Sequence, residues 1–280
     1  MTLSIVIITY NEEANLPRTL ESVLPLIRDG QGEIVVVDSG STDRTVEIAQ
    51  SLGARVFIED WKGYAGQKNS AIEKATGDWI LSLDADEVVD SELSQEIEHQ
   101  VLGKTALQDS RQVPNSNTAV LASSINGVWI RRKNYFLGRW IRHGGFWPDP
   151  KLRLFRGGTG KFENRTVHET AMVDGKLVNR DGALFKGALL HYSYPTLSDY
   201  IDHMNRYSTL GAEMAIAKGR HGFSLLNIVS RPLATFAYNY VFRLGFLDGR
   251  EGLLLHLYHA VYVSWKYAKG WELGRARLTE

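Results

Sequence analysis

The chain has no cysteine in its 280 residues. That excludes disulfides, thiolate nucleophiles and thiolate-bound metals, and it fits a reducing compartment. It has no excess of either charge, since 32 Lys and Arg balance 32 Asp and Glu, so nothing global argues for nucleic acid as a partner. It also lacks a long apolar run. The longest uncharged, mainly apolar stretch is Gly252 to Trp265, short of the roughly 20 residues that cross a bilayer as a helix. The apolar start at Leu3–Ile8 has no preceding basic residue and runs straight into Asn11-Glu12-Glu13, so it reads as a strand and not as a signal peptide. Finally, the turn Thr9-Tyr10-Asn11-Glu12 after that strand has no G-x-G-x-x-G and no Gly-rich, Arg-containing loop. This argues against a nicotinamide enzyme and against a nucleotidyltransferase.

What is present is ordinary globular material, 44% hydrophobic and 23% charged. The length allows one large domain or a core with an appendage. One stretch organises the rest: Trp79-Ile80-Leu81-Ser82-Leu83-Asp84-Ala85-Asp86-Glu87, an apolar run that stops at three carboxylates. The run suits a strand buried on both faces of a parallel sheet. If the backbone stays extended past its end, Asp84 and Asp86 point the same way. Two converging carboxylates repel without a cation, and oxygen ligands suit Mg²⁺ or Mn²⁺ bridging to substrate phosphates. The bland alternative is an acidic turn ahead of a helix started by Asp90 or Ser91.

Upstream, the pattern alternates strictly. Strands are predicted at Leu3–Thr9, Glu33–Val37 and Ala54–Ile58, and helices after Asn15, after Thr42 or Asp43, and over Ala65–Ala75. Such β-α-β-α alternation implies a parallel, doubly wound α/β sheet, with the ligand crevice beyond the carboxyl ends of the strands. After a helix near Ser91–Val101, the polar Gly103–Asn117 reads as a variable loop. Strands are then expected at Val128–Arg132, Lys151–Arg156 and Ala183–Leu190, and helices from Thr196 onward. The expected organisation is a catalytic domain over 1–195, with a nucleotide-binding half at 1–102 and an acceptor half at 118–195, and a helical extension over 196–280.

Three strand ends therefore offer polar groups: Thr9 to Glu12, Asp38, and Asp84 with Asp86. A base and ribose fit across the first two, with a diphosphate directed to a metal at the third. Lys68 and Asn69, early in a helix, either reach the phosphates with help from the helix N-terminus or form a solvated helix face. Asp38 either reads a base N–H, as an acceptor-only group can, or closes its own Asp-Ser-Gly turn.

The residues Ser4-Ile5-Val6-Ile7-Ile8-Thr9-Tyr10-Asn11-Glu12, Val36-Val37-Asp38-Ser39-Gly40-Ser41-Thr42-Asp43, Gly66-Gln67-Lys68-Asn69 and Leu83-Asp84-Ala85-Asp86-Glu87 together resemble family 2 glycosyltransferases of the GT-A fold. Lys151-Leu152-Arg153-Leu154-Phe155-Arg156, Val167-His168-Glu169 and His191-Tyr192-Ser193 are similar to the members that add glucose to the inner core of lipopolysaccharide. The resemblance covers nearly the whole chain apart from Gly103–Asn117. It implies an inverting, metal-dependent hexosyltransferase using a UDP-sugar donor and a glycolipid acceptor at the cytoplasmic face of a membrane. It also implies that Thr9, Asn11 and Glu12 line the nucleotide pocket, that Asp38 accepts the uracil N–H, and that Asp84 and Ala85 touch the donor.

The chemistry asked of such an enzyme is definite. The leaving diphosphate needs its charge neutralised, and the acceptor hydroxyl needs a base. Candidate bases are Asp149, Glu163, His168 and Glu169. The resemblance favours Glu169, which otherwise would pair with Arg153 or Arg165, and it leaves Asp149 and His168 as acceptor contacts. His191, at a strand end, is read as a third metal ligand, a phosphate contact or a structural histidine. Arg153 and Arg156 either hold an anionic acceptor group in bidentate fashion or lie on a solvated strand face. A non-catalytic module on the same fold would be expected to lose Asp84, Asp86 or the base, and a polyprenyl-phosphate transferase commonly carries membrane-spanning helices.

The last 63 residues, 218–280, hold nine Lys and Arg against four Asp and Glu, with many aromatics. This composition suits helices lying on an anionic membrane surface. It also suits a helical subdomain packed on the sheet, or a homo-oligomer interface.

Overall fold

The structure is a computed structural model that describes residues 1–28, 30, 32–103, 124–163, 170–181, 184–219 and 222–276. The described residues group into two compact units, one within 1–132, 150–163 and 170–191 and the other within 133–149 and 192–276. Almost all of the expected loop Gly103–Asn117, together with His168 and Glu169, lies outside the described residues.

The strands are β1 (Leu3–Thr9), β2 (Gly32–Asp38), β3 (Arg55–Ile58), β4 (Trp79–Asp84), β5 (Glu87–Val89), β6 (Ile125–Phe136), β7 (Arg139–Trp140), β8 (Lys151–Arg156), β9 (Gly160–Glu163), β10 (Thr170–Val173), β11 (Lys176–Val178) and β12 (Ala188–Tyr194). The helices are α1 (Leu16–Ile27), α2 (Thr45–Ser51), α3 (Tyr64–Glu73), α4 (Ser91–Gln100), α5 (Leu197–Ala217), α6 (Arg231–Phe236) and α7 (Gly249–Ala276). The main sheet has the order β3-β2-β1-β4-β8-β6-β12-β5. Its first four strands pair in parallel, and the pairing becomes antiparallel where β8 joins β4.

Alternation along the central strands explains the layers of the first unit. Leu3, Ile5 and Ile7 of β1 and Trp79, Leu81 and Leu83 of β4 pack with α1 and α4. Val6, Val35, Val37 and Ile80 face the other way, against Ala65 and Ala71 of α3. A strand clad on both faces needs a near-continuous apolar run, and Leu3–Ile8 and Trp79–Leu83 supply one.

Local details depart from expectation. Asn15 precedes α1, but its Nδ2 donates to Glu12 Oε2 at 2.9 Å and does not cap the helix. Neither Thr42 nor Asp43 caps α2; Asp43 Oδ1 instead accepts the Thr45 N–H at 3.0 Å. Asp90 does cap α4, accepting from Leu93 N at 2.9 Å. Strand β6 is longer than Val128–Arg132, and β12 begins five residues later than Ala183 and runs on to Tyr194.

The second unit has its own core of Phe136, Ile141, Tyr200 and Leu255. Helix α5 starts at a Thr196–Asp199 capping box, in which the two residues satisfy each other's exposed N–H groups. Lys269 of α7 fastens α5 by donating to the Asn205 carbonyl at 2.8 Å, Ser208 Oγ at 2.8 Å and Thr209 Oγ1 at 2.9 Å. Between these helices runs a helical rod. It is π-helical over Leu226–Ser230, α-helical in α6, and π-helical again over Ala237–Phe242.

Candidate active site

The site lies at the carboxyl ends of β1, β2 and β4, within the first unit. There the turn after β1 is stitched to the turn after β2. Asn11 N donates to Ser41 Oγ at 2.8 Å, Asn11 Oδ1 accepts Thr42 N at 2.8 Å, and Glu12 N donates to Thr45 Oγ1 at 2.7 Å. Asn11 adopts a left-handed φ of 54°, a conformation Asn tolerates better than most residues. Burial pushes the Glu12 carboxyl up, and the nearby charges of Asp86, Asp43 and Asp84 add to it.

Asp38 sits beneath these turns, fully buried. One oxygen accepts Gly40 N at 2.9 Å and Ser41 N at 2.7 Å, and the other accepts Thr9 Oγ1 at 2.7 Å and Ser41 Oγ at 2.5 Å. Four donors from its own fold already engage this carboxylate. With Thr9, Asp38 builds the floor of the turn.

Beyond β4 the chain does not stay extended. β4 stops at Asp84, a turn follows at Ala85-Asp86, and β5 starts at Glu87. Glu87 folds back so that its Oε2 accepts Asp84 N at 3.1 Å, while the Ala85 carbonyl accepts Thr19 Oγ1 from α1 at 2.6 Å. The two aspartates therefore have different surroundings.

Asp84 shares its sheet face with Ile80 and so points toward α3. There Lys68 Nζ meets its Oδ1 at 2.7 Å, and the Arg153 guanidinium bonds its Oδ2. Burial alone would raise the Asp84 carboxyl, but Arg153 and Lys68 outweigh it and hold it far below the usual carboxylate range. Asp84, expected as a metal ligand, is ion-paired here with Lys68 and Arg153.

Asp86 faces His191, with Oδ2 3.3 Å from Nε2. The register that pairs His191 with Glu87 across β12 and β5 sets this contact; a slip of one residue would turn the imidazole to the other face. Burial raises the Asp86 carboxyl, but the charge and hydrogen bond of His191, with the charge of Arg132, keep it below its ordinary value. Among the described residues no group of three or more His, Asp and Glu is arranged as a metal site.

Sequence reasoning missed the centre of this network. Glu87 is fully buried, and its Oε1 takes Arg153 Nη2 at 2.9 Å and Arg132 Nη1 at 3.1 Å. The signal was the third carboxylate of the cluster together with a basic residue in each of two strands. Removing one partner from a buried ion pair costs about 3–5 kcal/mol, because the other charge stays buried. Glu87→Gln is therefore expected to destabilise the protein by about that amount, measured by urea unfolding; a loss under about 1 kcal/mol, typical of surface pairs, would refute the buried role.

Other expectations are redirected. Arg153 is buried in this network and is not on an acceptor-facing surface. Arg156 lies at the opposite end of β8, paired with Trp79, its guanidinium 4.8 Å from the Trp79 ring centroid and its Nε bonded to the Ile125 carbonyl at 2.8 Å. The Asn69 amide bridges to β9, exchanging hydrogen bonds of 2.8 and 2.7 Å with the Phe162 backbone, so it is neither a phosphate contact nor a solvated helix face. Asp149 belongs to the second unit, where its Oδ2 accepts Asn134 Nδ2 at 3.0 Å.

The sequence model described as Glycosyl transferase family 2 matches residues 4–157, which span β1 to the end of β8. The lipopolysaccharide core biosynthesis glycosyltransferase LpsC of Rhizobium meliloti is 31% identical, over 89% of this chain and 82% of that one. The chain belongs to glycosyl transferase family 2. An uncharacterized glycosyltransferase of Rickettsia typhi is 30% identical to it, over 90% of this chain and 80% of its own. Among solved structures, this family 2 glycosyltransferase is similar to the mannosyltransferase PcManGT of Pyrobaculum calidifontis in complex with GDP-Man and Mn²⁺. The TM-score is 0.52 at 15% identity, over 96% of this chain and 86% of that one. The likeness supports the GT-A fold, with its mixed sheet and C-terminal helices.

Proposed function

We propose that this glycosyltransferase moves a hexose, glucose from UDP-glucose, with inversion onto a lipid-linked saccharide such as the inner core of lipopolysaccharide. It would act at the cytoplasmic face of a membrane and depend on Mn²⁺ or Mg²⁺. The observation that carries the reading is the convergence of Lys68, Asp84, Asp86 and His191 beyond the carboxyl ends of parallel strands. The name of the Rhizobium relative supports the acceptor class, and the Mn²⁺ bound with GDP-Man in the Pyrobaculum enzyme supports a metal.

The donor set fits a divalent ion as an open site. Asp86 and His191 would hold it, leaving further positions to diphosphate oxygens, the usual arrangement for an ion bound through one or two protein groups. When bound, such an ion acts as a Lewis acid toward the leaving diphosphate. This chain's own residues do the rest. Lys68, oriented by Asp84, adds a positive charge where the phosphates lie. The stitched turns around Asn11, Glu12 and Ser41 cradle the nucleoside, and Glu169 takes the acceptor proton. Among the described residues no helix is long and apolar enough to cross a membrane, so the rival polyprenyl-phosphate reading gains nothing.

Incubation of the purified protein with UDP-glucose, UDP-galactose, GDP-mannose and CDP-linked sugars, with Mn²⁺ or Mg²⁺, tests the donor assignment. UDP-glucose hydrolysis is expected to exceed the GDP and CDP donors by roughly tenfold or more, the effect of one or two buried hydrogen bonds at about 1–3 kcal/mol each. Equal rates for all donors would remove the uridine assignment.

A further inference from the structure

The helical rod Leu225–Phe242 is turned inside out for a helix in water. One face packs along α7: Ser264 Oγ donates to the Ile228 carbonyl at 2.8 Å, Arg231 bonds the Tyr267 hydroxyl, and the Phe223 and Trp271 rings meet at 5.3 Å. The opposite face carries the larger apolar side chains at intervals of three to five residues. Leu225 is 65% exposed, Leu226 69%, Leu233 64% and Phe242 76%, and Val229 and Tyr238 lie between them. A solvent-facing helix normally presents polar residues there, and a contiguous apolar patch of this kind marks an interaction surface.

The charge pattern indicates what covers it. From Phe223 to Leu247 there is no Asp or Glu, and the two charged residues are Arg231 and Arg243. An apolar face with a cationic flank and no carboxylate complements an anionic bilayer surface: Arg243, exposed beside Phe242, is placed to meet headgroups while the apolar side chains enter the acyl boundary; Arg231, bonded to Tyr267 on the α7 side, adds only its charge. No described helix is long and apolar enough to span a bilayer, and the rod's other face is held by α7. It would therefore lie in the interface plane.

We propose that the face formed by Leu226, Leu233 and Phe242 docks this enzyme on an anionic phospholipid surface. The proposal rests on the lipid-linked acceptor reading and deepens it, because such an acceptor stays in the membrane. The binding itself can be measured without any sugar transfer.

The test is co-sedimentation of the full chain with phosphatidylglycerol–phosphatidylcholine vesicles and with phosphatidylcholine vesicles alone. The wild type is expected to sediment with the anionic vesicles, and the triple variant Leu226→Gln, Leu233→Gln, Phe242→Gln to lose at least tenfold in partition. Its thermal midpoint and UDP-glucose hydrolysis in vesicle-free buffer should be unchanged. If the triple variant does not fold, Phe242→Gln alone should still weaken partition measurably. Wild type remaining in the supernatant with anionic vesicles, or undiminished binding by the folded variant, would overturn the proposal. So would a dimer in sedimentation velocity that the same substitutions abolish, because the face would then belong to a second copy. Absence of sugar hydrolysis alongside vesicle binding would count against the transferase reading and leave the docking intact.

Discussion

Asp86→Asn is expected to lower sugar transfer at saturating Mn²⁺ by roughly 10²–10³-fold or more while the protein folds as wild type. Asp86 is one of the two side chains proposed to hold the cation, and it meets His191 at 3.3 Å. Lewis-acid stabilisation of a leaving group amounts to several kcal/mol, and each 1.36 kcal/mol is tenfold in rate. The amide keeps the shape of the side chain and loses its charge. Because the Asp86 side chain is 23% exposed and outside the Glu87 network, stability should change little. Asp84→Asn should behave differently. It leaves Lys68 and Arg153, both nearly buried, short of a counter-charge, so part of its loss should appear in urea unfolding. Transfer by Asp86→Asn at the wild-type rate without added metal would dismiss the metal site.

Glu169→Gln is expected to bind UDP-glucose nearly as tightly as wild type and to transfer the sugar about 10²–10⁴-fold more slowly, the usual contribution of a general base. Only the step that removes the acceptor proton needs basicity, so the defect should appear in the transfer rate at saturating acceptor and not in donor affinity. The competing role, an ion pair with Arg153, loses ground because Arg153 is already bonded to Asp84 and Glu87. Loss of a surface pair with Arg165 would cost about 0–1 kcal/mol of stability and leave the rate within a few-fold. A rate that close to wild type would move the base role to Asp149 or His168. Binding of Mn²⁺, read by calorimetry, should be unaffected, which separates this variant from Asp86→Asn.

Together the two variants would separate the charges proposed to receive the donor from the group proposed to activate the acceptor. Lys68, 2.7 Å from Asp84, is proposed for the first set.

The sequence by itself determined the parallel half of the sheet, and with it the place of the site. Two-sided burial demands long apolar runs, and Leu3–Ile8 and Trp79–Leu83 can be little else; the carboxylates that end the second run had to fall at a strand end. It also indicated helices from Thr196 onward, while the exposure of apolar side chains such as Leu226, Leu233 and Phe242 was left to the folded chain. What only the tertiary structure decided is the work of each polar side chain. Asp38, Asn69, Arg153 and Arg156 are residue types that bind ligands or hold folds equally well, and the choice depends on which donors and acceptors the folded chain brings within about 3 Å. Four donors claim Asp38, and the Phe162 backbone claims Asn69. Asp84 and Asp86 looked equivalent because an extended strand would align them. The Glu87 side chain folds back onto Asp84 N, a long-range network anchors it through Arg132 and Arg153, and the antiparallel register with β12 delivers His191 to Asp86. No local pattern encodes the contacts with Arg132, Arg153 and His191, because these residues lie 45 to 105 positions along the chain from the carboxylates they meet.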